Sequence, residues 1–416
     1  MAAITDILKV FYAPHKVFKQ IVQKPSYLGC ILVLVVFVAA QTSYFYVRAS
    51  KIYSEETRPT GLFADEWTEN ATLWQANDGV EINDNYVDFI NGTSLIPGSP
   101  DFYGNSSVEF VVNNSAIVQA ALANLGGSVD CGVDGFKSLS LRVKMVTPET
   151  KPENVTLFLY SLSDSNYFSY DLTEAFSNST SGIWNNMSVP VGSGDWFRSN
   201  AAAKWENITS LKMDFKWSTN ASIRLRVDGL FFRGLFKNAI DIYGAQAAIL
   251  NFALSATTPF LFQWLVLTAL MYLIIKGLKG NVVWKPLMVA VGFSLVTLVV
   301  YALVLLVTFA ASSAVNVPFE YFAGVAGEFE AANQAVIREL EQVNLISSAV
   351  ALAVNVLWNI GLGVFIVRAV TSVPPTTSVS EEAPPPVAQP FAWTKCLLVS
   401  AASVILTLII LAFIGV

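Results

Sequence analysis

The chain has 416 residues, of which 54% are hydrophobic and only 13% are charged, and its formal net charge is −6 at pH 7. Soluble globular domains average about 25% charged residues, so this composition indicates a membrane protein. The acidic balance argues against a nucleic-acid partner.

Residues 1–27 precede the first long apolar segment and carry two amphipathic stripes. The apolar positions are Ile4, Ile7, Leu8 and Phe11, and then Val17, Phe18, Ile21 and Val22. Four lysines lie among them, and Pro14 and Pro25 bound the second stripe. This pattern predicts two short cytoplasmic helices. They either lie on the inner leaflet of the membrane or pack against the underside of a helical bundle.

Five segments are apolar enough to span a bilayer. They are residues 28–47, 245–275, 286–311, 345–367 and 396–416. Each reaches the roughly 20 residues that a helix needs to cross about 30 Å of hydrocarbon. The first segment is too long for the apolar region of a cleaved signal peptide, so we interpret it as a retained anchor.

The distribution of lysine and arginine predicts the orientation of these spans. Positive charge precedes the first span, lies between spans two and three, and flanks the Pro-rich linker 371–390. The loop 312–342 is acidic and is predicted to contain a helix. By the positive-inside rule, the N-terminus and the linker are cytoplasmic. The segment 52–235, the acidic loop and the C-terminus are then extracytoplasmic in a multi-pass protein of the cell membrane.

The pattern Asn-x-Ser/Thr, the acceptor for N-linked glycans, supports this orientation. It occurs only within the segment 52–235, at Asn70, Asn91, Asn105, Asn113, Asn154, Asn178, Asn186, Asn207 and Asn220. Its confinement to the predicted exterior favours a glycoprotein. The alternative is an Asn-rich polar domain that meets no glycosylation machinery.

Short runs of alternating apolar and polar residues fill the segment 52–235. Runs such as "NVTLFLYSL" and "LKMDFKW" are separated by turn-forming residues, which predicts half-buried strands of a β-sandwich or jelly roll. Cys131 is the only cysteine of the segment, so its core must hold it together without an internal disulfide. The predicted fold class is a multi-domain membrane protein, with a five-span α-helical bundle and an all-β extracytoplasmic domain.

The run from Phe136 to Phe232, which includes "FKSLSLRVKM", "WENITSLKMDFKW" and "SIRLRVDGLFF", resembles the galactose-binding-like jelly roll of many carbohydrate-binding modules. The resemblance implies a structural calcium near the first and last strands. The matching oxygen donors are Asp65 or Glu66 together with Asp228. The alternative for Asp228 is a hydrogen bond at the end of a strand.

Binding of a sugar requires exposed aromatic rings beside hydrogen-bonding groups, because a pyranose stacks its C–H face on a ring. Three tryptophans in loop-like sequence meet this requirement: Trp184, Trp196 and Trp205. Packing in the core is the alternative for each of them.

The segments "YAPHKVFKQIVQKPSYLG" (12–29) and 257–300 resemble the Yip domain family of Ypt/Rab-interacting membrane proteins and its prokaryotic relatives. The resemblance implies five spans and a cytoplasmic N-terminus. The chain lacks the "DLYGP" motif of eukaryotic members and inserts a large domain after the first span. A sequon-rich insertion without disulfides is what an archaeal member would show.

The sequence favours a protein that is not an enzyme. Its single histidine, His15, lies outside the predicted β domain, which excludes Ser-His-Asp triads and histidine zinc sites there. No cofactor is expected apart from the structural calcium. We expect a membrane-anchored surface protein that binds a glycan or another envelope component. The alternatives are a Yip-like trafficking protein with an exterior sensor or spacer, and a transporter or channel subunit. Membrane lipid is the other expected partner, and the spans could support homo- or hetero-oligomers.

Overall fold

The computed structural model describes residues 2–61, 63–87, 102–192, 194–372 and 390–415. Asn91 and nearly all of the predicted linker 371–390 lie outside these residues. The chain forms two compact units. The helical unit comprises residues 1–52, 238–315 and 339–416, and the β unit comprises residues 53–237 and 316–338.

Eleven strands join in one sheet within the described residues. They are β1 (Ile52–Arg58), β2 (Trp74–Ala76), β3 (Glu81–Val87), β4 (Ser106–Leu122), β5 (Ser138–Thr147), β6 (Asn154–Ser161), β7 (Ser163–Asp171), β8 (Asn185–Pro190), β9 (Phe197–Arg198), β10 (Ile208–Asn238) and β11 (Val315–Val317). The prediction of a large, antiparallel β-rich domain is confirmed.

The long strands β4 and β10 make this sheet a two-layered sandwich. The first half of β10 pairs with β6 and with the end of β4. Its second half pairs with β5 and with the start of β4, after register shifts between Lys216 and Ile223. Leu157 and Met213 of one layer share a buried core with Leu141 and Leu225 of the other. The two layers therefore face each other across this core, as in a β-sandwich.

The period-two pattern of the sequence explains how each strand divides its residues between core and surface. In β6, Val155, Leu157 and Leu159 are buried, whereas the residues between them are half-buried on the opposite face. Cys131 lies fully buried in the same core as a free thiol. Burial raises the pKa of this thiol, with a smaller contribution from the charge of Asp130. The core therefore holds the domain together without a disulfide.

The segment 316–338, which the sequence assigns to a separate loop, is part of the β unit. The backbone N–H of Phe319 donates to Glu55 Oε2 at 2.8 Å, and its ring is buried beside Phe231. Arg233 binds Glu55 at 2.8 Å and Glu320 at 2.9 Å. Burial alone would lower the pKa of Arg233, but the hydrogen bonds and charges of both glutamates raise it, so the arginine stays charged. The fragment 52–235 would lack this support.

The helical unit contains most of the described α-helices. In the described residues the α-helices and one π-helical segment are α1 (Ala2–Tyr12), α2 (Pro14–Gln23), α3 (Leu28–Lys51), α4 (Thr173–Asn178), α5 (Ala239–Tyr243), α6 (Ala245–Gly277), α7 (Trp284–Ser294), α8 (Val296–Ala311), α9 (Glu320–Ala323), α10 (Glu328–Val350), the π-helical segment (Ala351–Trp358), α11 (Asn359–Thr371) and α12 (Trp393–Phe413). Of these, α4, α9 and the first part of α10, up to residue 338, lie in the β unit.

Among the described residues, five helical stretches are long and apolar enough to cross a membrane, as predicted. They are Leu28–Lys51, Ala245–Gly277, Trp284–Ala311, Glu328–Thr371 and Trp393–Phe413. The most apolar window of Trp284–Ala311 is 72% buried, against 33–39% for the other four, so this stretch is the centre of the bundle. The acidic helix predicted before the fourth span runs into that span without a break.

The second amphipathic stripe of the N-terminus packs against the bundle. Val17, Phe18, Ile21 and Val22 of α2 are all buried. They share one core with residues of α7 and α11. Of the two alternatives left open by the sequence, packing against the bundle therefore holds for α2.

A buried polar contact joins the start of α11, just after the π-helical segment, to the central helical stretch. Asn359 Oδ1 accepts a hydrogen bond from Thr297 Oγ1 at 2.8 Å. Its Nδ2 donates to the carbonyl oxygen of Asn355 at 3.2 Å. The side chain thus satisfies a backbone carbonyl near the π-to-α transition and bridges two helices.

We expect Asn359→Ala to destabilise the helical unit by about 1 kcal/mol, because it removes this interhelical contact. The measurement is the unfolding temperature of the full chain in detergent. Asn344→Ala is a matched control, since Asn344 is exposed on the same long helix. Equal unfolding temperatures for the two variants would contradict the role of Asn359.

Candidate functional site

Four aromatic rings lie together on the outer side of one layer of the β unit. They are Phe158 and Tyr160 of β6, Tyr167 of β7 and Phe197 of β9, and we call them the aromatic face. The register pairs Tyr160 with Tyr167, Phe158 with Ser169, and Ser169 with Phe197. Because opposed residues in a sheet point to the same side, the four rings share one surface.

The rings of the aromatic face are contiguous. The centroid of Tyr167 lies 5.6 Å from that of Phe158, 6.0 Å from that of Tyr160 and 6.5 Å from that of Phe197. Phe197 is 61% exposed, and the other three rings are half-buried. The surface therefore offers apolar area to an external molecule while its rings hold one another in place.

Charged groups border the aromatic face on the neighbouring strand β10. Lys212 Nζ lies 5.0 Å from the ring centroid of Phe158 and 2.9 Å from Asp214 Oδ2. Gln119 Nε2 of β4 donates to the same carboxylate oxygen at 3.2 Å. These groups can hydrogen-bond to a ligand that stacks on the rings.

The hydroxyl of Tyr160 is held in its neutral form. Partial burial, then the negative charges of Asp214 and Asp164, raise the pKa of this phenol to about 12. At neutral pH the hydroxyl therefore remains a hydrogen-bond donor as well as an acceptor.

The structure places the three predicted tryptophans away from the aromatic face. Trp205 stacks on Phe168, with centroids 3.8 Å apart and planes 13° apart. Trp196 packs edge-on against Trp205 at 5.3 Å, and its Nε1 donates to the carbonyl oxygen of Pro190 at 2.7 Å. Trp184 packs with Phe231 and Tyr103 in a separate cluster. Each is half-buried, so a ligand-binding role for these tryptophans stays a prediction.

The aromatic face was not predicted from the sequence, although the sequence contains a pattern that indicates it. In "NVTLFLYSL", Phe158 and Tyr160 alternate with the core residues Leu157 and Leu159. A strand with apolar residues on both faces either has both faces covered or presents one of them to a ligand.

Three carboxylates meet beside the part of β10 that pairs with β5. Asp65, Glu69 and Asp228 each place an oxygen within 4.8 Å of the others. Asp65 lies just before a short 3₁₀ turn, Glu66–Thr68, and Asp228 lies in β10 just before Gly229. Asp65 and Asp228 are fully buried. We call these residues the carboxylate cluster.

The hydrogen bonds around the carboxylate cluster leave one buried oxygen without a partner. Asp228 Oδ1 accepts from the N–H of Gly229 at 2.8 Å and from Thr68 Oγ1 at 3.3 Å. Asp65 Oδ1 accepts from the N–H of Gly104 at 3.2 Å. Among the described residues, no group hydrogen-bonds to the buried Asp65 Oδ2. An orphaned carboxylate oxygen among acidic neighbours fits a site for a cation.

The electrostatics of the carboxylate cluster also favour a bound cation. Burial, and then the charges of Asp228 and Glu69, raise the pKa of Asp65 well above its ordinary value. Either a proton or a cation must offset the charge of the cluster. Oxygen donors of this kind suit calcium.

The sequence offered Asp65 or Glu66 as the partner of Asp228, and the structure brings Asp65 and Glu69 together with Asp228. Glu66 is exposed and is not part of the cluster, so a calcium site at these residues stays a prediction. The short 3₁₀ turn Glu66–Thr68 lies between Asp65 and Glu69. The sequence contains no marker for the direction in which this turn points its side chains.

The acceptor asparagines in the described residues lie at the surface of the β unit. Asn70, Asn105, Asn113, Asn154, Asn178, Asn186 and Asn220 are exposed, and Asn207 is half-buried. This distribution leaves the acceptor nitrogens of the exposed positions open to modification, while their use stays a prediction.

No protein-family model matches this chain, and no curated protein matches it. Among solved structures, a family 11 carbohydrate-binding module from Clostridium thermocellum, in complex with a β-1,3-1,4-mixed-linked tetrasaccharide, is 12% identical. The match covers 44% of this chain and 95% of the module, with a TM-score of 0.26.

Two further solved structures are similar to the same degree. A family 30 carbohydrate-binding module of a cellulosomal cellulase from Clostridium thermocellum is 8% identical over 42% of this chain and 96% of its own, with a TM-score of 0.28. A β-1,2-glucanase from Parabacteroides distasonis is 14% identical over 40% of this chain and 24% of its own, with a TM-score of 0.27. At identities and TM-scores this low, the likenesses carry no argument about the ligand or activity of this chain.

Proposed function

We propose that this protein is a membrane-anchored surface protein whose β unit binds a carbohydrate on the aromatic face. The observation that carries the proposal is the set of four contiguous rings beside Lys212, Asp214 and the Tyr160 hydroxyl. A sugar ring has one apolar C–H face and an edge of hydroxyls, and this surface matches both. The surface is broad rather than enclosed, which suits a chain of sugars better than a single small molecule.

The helical unit supplies the membrane anchor in this proposal. Five stretches are long and apolar enough to span, and each of them leaves large hydrophobic side chains exposed, as contact with lipid requires. The positive-inside rule then places the N-terminus in the cytoplasm and the β unit outside.

Calcium has a structural role in this proposal. Asp65, Glu69 and Asp228 would hold the ion, which would neutralise the carboxylates and tie the turn after Asp65 to strand β10. Asp65 and Asp228 are fully buried, whereas the rings of the aromatic face are half-buried or exposed, so in this proposal the ion supports the fold and does not contact the sugar. We propose no catalytic step, since the β unit contains no histidine and its titratable cluster is buried.

The direct test is a glycan array probed with the full chain in lipid nanodiscs, in the presence of calcium. The full chain is required because residues 316–338 are part of the β unit. We expect binding to a defined class of polysaccharide. Absence of binding to any glycan, with the protein folded, would overturn the proposal.

One observation favours the alternative in which the β unit is a sensor. Arg142 Nη2 binds Glu328 Oε1 at 3.1 Å, and Glu328 is the first residue of the continuous helical stretch that ends at Thr371. A change at Arg142 could therefore be passed along one helix. The test is cross-linking through the spans, which would recover a membrane partner only in this alternative.

The exterior location predicts glycosylation at the exposed acceptor asparagines. In a host with an N-glycosylation machinery, we expect Asn154→Gln and Asn186→Gln each to remove the mass of one glycan. The readout is intact mass before and after enzymatic deglycosylation. Val283→Thr creates a matched control acceptor at Asn281, in the loop predicted to be cytoplasmic. Modification of Asn281 would contradict the proposed orientation.

A further inference from the structure

Helix α1 exposes an apolar stripe that the bundle does not cover. Val10 is fully buried, but Ile4 is 55% exposed, Leu8 56% and Tyr12 72%. Phe11, at 37%, contacts the ring of Trp358 at 5.6 Å and leaves its remaining surface open. A contiguous exposed apolar patch of this kind marks an interaction surface.

Unpaired positive charge lies beside this stripe. Lys16, Lys19 and Lys24 are exposed, and the described residues place no carboxylate within ion-pair distance of them. Lys9 pairs with Asp6 at 3.6 Å, and Asp6 is the only acidic residue of the segment 1–27. The surface therefore combines an apolar stripe with an excess of lysine.

A cavity of about 560 Å³ opens between α1, the end of α2 and the start of α3. Its lining combines polar side chains with the apolar side chains of Leu28 and Phe293. The polar ones include Asp6, Gln20, Gln23 and Lys24. Because Asp6 pairs with Lys9, whereas Lys24 has no carboxylate partner among the described residues, a ligand for this cavity needs a head that Lys24 can bind and an adjoining apolar portion.

We propose that α1, α2 and this cavity bind an anionic phospholipid. The headgroup phosphate lies at Lys24 and the amides of Gln20 and Gln23, and the adjoining hydrocarbon lies along Leu28 and Phe293. The exposed stripe of α1 enters the same leaflet, and Lys16 and Lys19 contact neighbouring headgroups. This binding goes beyond glycan recognition by the β unit and rests on the proposal that the helical unit lies in a membrane.

The charge and the polarity of this surface together favour an anionic lipid as its ligand. A zwitterionic lipid carries no net negative charge, so it would balance the charge of the exposed lysines less well than an anionic lipid. An acidic protein could pair with the lysines, but it would have to bury the apolar stripe and the apolar wall of the cavity as well. An anionic lipid supplies both the negative charge for the lysines and the hydrocarbon for the apolar surface. Lipids of this class surround the bundle in a membrane.

The test is native mass spectrometry of the full chain in neutral detergent, titrated with phosphatidylglycerol and, separately, with phosphatidylcholine. We expect wild type to bind phosphatidylglycerol at least about tenfold more tightly, because each lysine near an anionic surface adds about a factor of five. The triple variant Lys16→Gln, Lys19→Gln, Lys24→Gln should lose this preference. Its unfolding temperature should match that of wild type, since all three side chains are exposed.

The triple variant Lys276→Gln, Lys279→Gln, Lys285→Gln is the charge-matched control, because these lysines are exposed in or beside the loop that joins α6 and α7. It should retain the preference. Equal loss in both triple variants would overturn the proposal in favour of unspecific attraction. Equal binding of the two lipids by wild type would overturn it, and so would displacement of phosphatidylglycerol by inorganic phosphate. Binding of polyglutamate in place of the lipid would assign the surface to an acidic protein.

Discussion

The β unit should unfold at a temperature about 5–10 °C higher in calcium than in the presence of a chelator. At a calcium concentration about a hundred times the dissociation constant, a single site stabilises the folded state by about 2.7 kcal/mol. For a unit of this size, each kcal/mol corresponds to about 2–4 °C. Fluorescence of the full chain reports the transition, because Trp67, Trp74 and Trp217 lie in the core of the β unit.

The effect of pH should have opposite signs with and without the ion. The pKa of Asp65 is raised in the folded state, so the folded protein binds its proton more tightly than the unfolded chain does. Without calcium, the contribution of Asp65 to stability is therefore greatest in acid and falls as the pH rises above about 4, the ordinary pKa of aspartate. With calcium, the ion replaces the proton, so the gain in unfolding temperature is largest near neutral pH and disappears in acid.

Single substitutions test whether the carboxylate cluster is the calcium site. Asp65→Asn should abolish the response to calcium, and in chelator at neutral pH it should be more stable than wild type because it removes a buried charge. Glu69→Gln should weaken the response. Glu66→Gln is the matched control, since Glu66 is exposed and lies outside the cluster. A normal calcium response in Asp65→Asn would rule out the site.

Removal of a ring from the aromatic face should weaken carbohydrate binding by about five- to thirtyfold. Loss of one stacking contact corresponds to about 1–2 kcal/mol of buried apolar area. Phe197→Ala is the sharpest variant, because a ring that is 61% exposed contributes little to folding. The measurement is titration calorimetry of the full chain with the oligosaccharide found on the array.

Two further variants distinguish stacking from hydrogen bonding. Tyr160→Phe keeps the ring and removes only the hydroxyl, so its loss of affinity should be smaller than that of Tyr160→Ala. Trp184→Ala is the aromatic control, because this ring packs in a separate cluster. Loss of binding in Trp196→Ala or Trp205→Ala, with Phe197→Ala unaffected, would move the site to those tryptophans.

Features that depend on a single helix or strand could be predicted from the sequence. The apolar stretches Leu28–Lys51 and Trp393–Phe413 are recognisable as candidate spans from length and composition alone. The strands β6 and β10 follow from period-two alternation, because the pleat of a strand sends neighbouring side chains to opposite faces. The membership of Asp65 and Asp228 in one site followed from a resemblance to jelly rolls, and the structure brings them together.

Features that depend on several distant elements were decided only by the tertiary structure. The aromatic face exists because the register of β6, β7 and β9 aligns rings from separate parts of the chain. The segment 316–338 joins the β unit because Arg233 binds Glu320 and Phe231 packs with Phe319. These partners are far apart in the sequence, so no local pattern predicts their contacts.

The carboxylate cluster shows the same division within one site. Residue type and a resemblance predicted acidic donors near the ends of the domain, with Asp65 and Asp228 among them. The choice of Glu69 over Glu66 depended on how a three-residue turn directs its side chains toward β10. Local preference determines that a strand, helix or turn forms, whereas the side chains that meet in space are determined by packing between elements, which a single sequence does not encode in any short pattern.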